Sequence, residues 1–180
     1  SALAADWIAA TRTDAAAVVA HVRSVHGRIS GVTPDGLAYA ASDPHLLKWV
    51  HVAEADSFLA AHQRYGNAPL DRAGCDRYVA EVDPPRNLAQ LEAELEAYRP
   101  ELAETPAARE AARFILLRPP VPWVALPPYT ALTGAAVGLL PRWARKPLGL
   151  PYLPPVEATV VRASGHAITS IIRWAMAPAA

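Results

Sequence analysis

Cysteine is nearly missing from this 180-residue chain, and Cys75 is the single copy. That excludes an intramolecular disulfide and a cysteine-rich metal site. Charge of one sign is also missing: 17 basic and 17 acidic side chains cancel. No global field therefore favours nucleic acid or an anionic membrane surface. No segment offers the roughly 18 uninterrupted apolar residues of a membrane span. The nearest, Val121 to Leu140, is broken by Pro122, Pro127 and Pro128. A Gly-x-Ser-x-Gly elbow and a phosphate-cradling glycine loop are both absent, and Cys75 follows Gly74 with no basic neighbour to activate it. Nucleophilic catalysis is thus unsupported. With no basic segment ahead of an apolar one, the expectation is a cytoplasmic protein without a nucleic-acid partner or membrane span.

What the chain does have is grease. It is 52% hydrophobic and only 19% charged, above the apolar share of an average domain. The surplus must go into a large core, an apolar ligand pocket or a partner interface, a homo-oligomer included. Helix signals dominate and strand signals are almost absent. Thr13-Asp14 reads as the start of a helix that closes at His26-Gly27. Ser42-Asp43-Pro44 opens a second helix, expected to stop at Tyr65-Gly66. Asp71, Asn87 and Thr105-Pro106 open three more, Pro127-Pro128 a small-residue helix, and Pro154-Pro155 the last, ending near Trp174 or Met176. The prolines mark helix starts, so residues 1–180 read as one all-α domain.

Two histidines fall in apolar stripes of consecutive helices. At about 100° per residue, Ala15, Val18, Val19, Val22, Val25 and His26 share one band. Leu47, Val50, His51, Ala55, Phe58, His62 and Tyr65 share another, with Glu54 one turn beyond His51. One stripe histidine is ordinarily a satisfied core residue. Two in succession raise the alternative that the partner is a metal, for which imidazole is the commonest ligand. His51 and Glu54 also have the i, i+3 spacing of di-metal bundles. Without a second such pair, Glu54 reads instead as a group that orients His51. His45 and His166 read as solvated, and His62 as a helix-end residue.

These residues also sit in familiar strings. Val22-Arg23-Ser24-Val25-His26-Gly27-Arg28-Ile29, Asp43-Pro44-His45-Leu46-Leu47-Lys48-Trp49-Val50-His51 and Asp56-Ser57-Phe58-Leu59 resemble the DUF2236 family of MpaB-type and rubber oxygenases. Tyr98-Arg99-Pro100-Glu101-Leu102, Thr105-Pro106-Ala107-Ala108-Arg109-Glu110 and Gly138-Leu139-Leu140-Pro141-Arg142-Trp143-Ala144 extend the likeness. The resemblance implies an all-α fold with a globin-like core and a bound haem b. It carries the axial iron ligand onto His26 and makes His51 a second cofactor-binding group. It further implies oxidative cleavage of carbon–carbon double bonds, with a lipophilic alkene or isoprenoid and O2 as partners. An arginine–threonine pair that assists oxygen chemistry in the rubber oxygenases has no counterpart in Leu3 to Thr11, and Arg12-Thr13 lies too close to His26. No catalytic residue is therefore assigned. The stretches at 7–13 and 81–84 are short for the family, and segments of the full protein are expected to be missing there. Two other readings stand beside the oxygenase: a non-catalytic haem-binding or haem-sensing protein, and a metal-free interaction domain.

Overall fold

The computed structural model describes residues 2–33, 36–82, 84–102 and 105–176, with the side chains of 2–13 and 176 outside the description. The chain forms two compact units, 1–51 and 52–180. The order is α1 (Ala2–His26), β1 (Ser30–Val32), β2 (Ala38–Ala40), α2 (Pro44–Tyr65), α3 (Arg72–Val82), α4 (Leu88–Tyr98), α5 (Pro106–Leu117), α6 (Leu126–Leu139) and α7 (Arg142–Arg145). A short α8 (Pro154–Val156) then runs through a π-helical segment, Glu157–Val161, into α9 (Arg162–Met176). The fold is mostly helical, as the punctuation of the sequence requires.

In the first unit, α1 begins at Ala2, well before the expected Thr13-Asp14 start. Its early residues include Ala2, Ala4, Ala5, Ala9 and Ala10 with no proline or glycine, so nothing interrupts a strong helix former. The small hairpin was not anticipated: Ser30 pairs with Ala40 and Val32 with Ala38 in antiparallel register. At Gly31 a Cβ would stand 2.8 Å from the Tyr39 hydroxyl, so the glycine makes room for the opposing ring. The apolar stripe of α1 faces solvent, with Val18 62% and Val22 42% exposed. Among the described residues of this unit the only sheet is a two-stranded hairpin, too small to cover a helix of 25 residues.

In the second unit, Val52, Ala55 and Leu59 of α2 pack with Cys75 and Val79 of α3 and Leu91 of α4. Ala55 and Tyr65 of the expected α2 row are buried, but Leu47, Val50 and Phe58 are exposed, which corrects the rest of that face. The buried stripe is the i, i+3, i+7 row from Val52, one step round from the row that sequence favoured. Caps fall as expected. Asn87 Oδ1 accepts from Gln90 N at 2.9 Å, Thr105 Oγ1 from Ala108 N at 3.1 Å, and Asp43 Oδ1 from His45 N at 2.8 Å. The amide of Gln63 brackets Leu70, donating to its carbonyl at 2.9 Å and accepting from its N–H at 2.7 Å, which ties the α2–α3 loop down. Further along, α6 packs on α9. Gly165 of α9 lies against the Tyr65 ring, where an added Cβ would collide with Cε1.

Candidate functional site

His26 is the last residue of α1 and is half-buried, while its companions Ala15, Val18, Val19 and Val22 are exposed. His51 is half-buried, and its Nε2 is fully shielded with no hydrogen-bond partner. Glu54 is exposed and does not cap that nitrogen, which corrects the expectation that it orients His51. Nor do His51 and Glu54 gather further ligands: among the described residues no group of three His, Cys, Asp or Glu is placed to hold an ion. His45 is exposed as expected, and exposed His62 sets Nε2 3.2 Å from the Ala68 carbonyl. His166 departs from expectation. It is half-buried and meets the Tyr65 ring edge-on at 5.4 Å between centroids, because α9 is held against the end of α2. The side chains of Arg12 and Thr13 lie outside the described residues.

A shielded imidazole nitrogen without a partner costs about 1–3 kcal/mol. Its persistence is a reason to look for a ligand, since buried polar atoms are otherwise nearly always satisfied. His51 therefore fits a role in holding a cofactor. His26 shows no comparable orphan atom.

The second unit contains an apolar cavity of about 470 Å³, within the roughly 300–1,000 Å³ of small-molecule sites. Leu116 of α5, Val137 of α6, Leu150 of the following loop and Val161 of the π-helical segment supply apolar wall. Sequence reading missed the residue that holds these walls together. Arg145, 3% exposed, donates from Nε to Leu140 O at 2.7 Å and from Nη2 to Gly138 O at 3.0 Å. Its Nη1 reaches Pro151 O at 3.3 Å and Glu157 Oε1 at 2.6 Å. The same Glu157 oxygen accepts from Leu153 N at 2.9 Å. These hydrogen bonds, from the Arg145 side chain first, hold the Glu157 carboxyl below its usual value. Gly138, Pro151 and Glu157 all line the cavity, so one guanidinium fixes three sides of it. Only the clustering of Arg142, Arg145 and Lys146 around Trp143 was visible in sequence, and it reads as surface.

Among the described residues no histidine, cysteine, methionine or tyrosine lines this cavity. Its described lining therefore holds none of the side-chain types that bind haem iron axially.

The chain falls in a family of helical oxygenase domains. Residues 1–174 match the family described as ER-bound oxygenase mpaB/B'/Rubber oxygenase, catalytic domain, and the protein belongs to it. Membership implies an oxygenase, with dioxygen and an organic substrate as its reactants. No curated protein and no solved structure matches the chain. Among the described residues no helix is long and apolar enough to cross a membrane.

Proposed function

We propose that this protein is a haem b-dependent oxygenase that acts on a lipophilic alkene of isoprenoid type, on a globin-like helical core. The observation that carries the cofactor is the shielded, partnerless Nε2 of His51. By family likeness His26 would hold the iron, with His51 as the second cofactor-binding group. The orphan nitrogen favours a second reading of that pair, in which His51 itself is the iron ligand. When bound, haem supplies the binding and activation of dioxygen. The protein's part is to hold the group through imidazole, to keep water away and to receive the alkene. Within the second unit, taken by itself, the 470 Å³ cavity offers an apolar wall that removes a hydrocarbon chain from water. Arg145 and Glu157 keep the wall in place and neutralise each other.

The test is aerobic incubation of haem-reconstituted protein with squalene, and separately with farnesoate and farnesyl phosphate, under ¹⁸O₂. Carbonyl products carrying the label are expected by mass spectrometry. A haem-loaded protein that yields none is a haem binder or sensor rather than an oxygenase.

A further inference from the structure

One cation on the wall of the 470 Å³ cavity has no partner among the described residues. Glu157, its acidic wall residue, is engaged by the buried Arg145. Arg109 and Arg113, one turn apart on α5, also line it. Arg113 forms no hydrogen bond or ion pair among the described residues. In the neighbouring cavity, between the end of α2 and helices α6 and α9, Arg173 is already spent on Tyr65 O at 3.0 Å and Ser170 Oγ at 2.9 Å. Of these two neighbouring cavities, the larger combines an apolar interior with a guanidinium that has no partner among the described residues.

A third feature marks the same wall. Glu157–Val161 is π-helical, and both of its end residues line the cavity. Such segments are rare and recur at functional sites. Gly134 of α6 adds open space: a Cβ there meets nothing within 4 Å, although the glycine lines the cavity. A helix-interior glycine costs about 1 kcal/mol relative to alanine, so keeping one beside an open cavity preserves room at the expense of the helix.

We infer that the cavity takes an amphipathic molecule, a hydrocarbon chain ending in an anionic oxygen group that pairs with Arg113. This rests on the reading of the cavity as the substrate site. A guanidinium presents a planar fork of donors that a carboxylate or a phosphate monoester engages in two parallel bonds. The chain lies along the apolar wall, and the head stays at Arg113, which is itself exposed, so that its desolvation is incomplete and inexpensive. The Arg113 guanidinium therefore selects acids over alcohols of equal chain length.

The test uses haem-free protein and calorimetric titration with dodecanoate, dodecyl phosphate and dodecanol. Wild type is expected to bind at least one of the two anions about tenfold tighter than the alcohol. The tighter of the two identifies the head group. Arg113→Gln should bring the anions down to the affinity of the alcohol, and Arg113→Lys should retain part of the preference. Gly134→Leu, which favours the helix and fills the space, should weaken all three ligands about tenfold or more. Dodecanol binding as tightly as both anions overturns the anionic head while leaving the lipophilic cavity standing. Retained discrimination in Arg113→Gln overturns the residue assignment. Absence of binding by all three overturns both the inference and the cavity as a substrate site, whatever the haem spectrum shows.

Discussion

Replacing Arg145 by methionine should destabilise the second unit more than any other single polar substitution described above. The guanidinium is 3% exposed and serves four acceptors: the carbonyls of Gly138, Leu140 and Pro151, and the Glu157 carboxylate at 2.6 Å. Methionine keeps much of the stem but no donor. Three carbonyls lose a donor, and Glu157, whose side chain is 20% exposed, keeps its charge without the cation. Removing one partner of a buried ion pair costs about 3–5 kcal/mol, a large fraction of the roughly 5–15 kcal/mol that holds a domain folded. Glu157→Gln should cost less, about 1.5–3 kcal/mol, because the amide still accepts from Arg145. The pair's contribution has a defined pH window. The folded-state pKa of Glu157 lies below its ordinary 4.5, so the stabilisation is fully present above about pH 4.5 and is lost as pH falls through the folded value. Urea denaturation of wild type, both single variants and the double variant gives the coupling energy directly. A cost below about 1 kcal/mol for Arg145→Met, or no coupling with Glu157, would refute the argument that this arginine holds the cavity wall.

Three further outcomes follow from other parts of the molecule. Burial first, and then the nearby Glu92 carboxylate, raise the pKa of Asp56 above 3.8. Its ionised form is therefore the less favoured one in the fold, so Asp56→Asn should raise the thermal midpoint at pH 7 and leave it unchanged at about pH 3; equal effects at both pH values would contradict this. Gly165→Ala should destabilise by about 1–3 kcal/mol, since the new methyl meets the Tyr65 ring, itself held through its hydroxyl to Ala135 O at 3.4 Å. That exceeds the roughly 1 kcal/mol gained in helix propensity, and a stabilised variant in urea denaturation would show the ring yields. His51→Leu should stabilise the haem-free protein by about 1–3 kcal/mol through removal of the shielded nitrogen, while impairing haem uptake; a loss of stability would mean that the imidazole is already satisfied.

Local chemistry made most of the fold legible. Asn87, Thr105 and Asp43 cap where their side chains say they should. At the end of α2, Gly66 N reaches His62 O at 2.7 Å, and a side chain there would strike that carbonyl. What local patterns miss is tertiary choice. Two adjacent apolar rows run along α2, and packing against Cys75, Val79 and Leu91 selects the one through Val52, Ala55 and Leu59. Arg145 and Lys146 are neighbours of the same charge, yet only Arg145 is buried, because the Glu157 carboxylate and three carbonyls come to it from outside its own helix. The two candidate histidines, His26 and His51, are proposed from family strings and stripe positions. The cavity was not legible in that way, because its walls come from α5, α6, the loop after α7 and the π-helical segment, which no sequence period connects. Arg109 and Arg113 at i, i+4 beside Ala112 and Leu116 were the one available hint.

Absorption spectroscopy during haem titration bears most directly on the oxygenase reading, run on wild type, His26→Ala and His51→Ala. Wild type should develop a Soret band that saturates near one haem per chain, and His26→Ala should lose it. Loss confined to His51→Ala transfers the iron to the residue with the orphan nitrogen. A wild-type protein that shows no saturable band, or a band that survives in both variants, contradicts a haem held by these histidines.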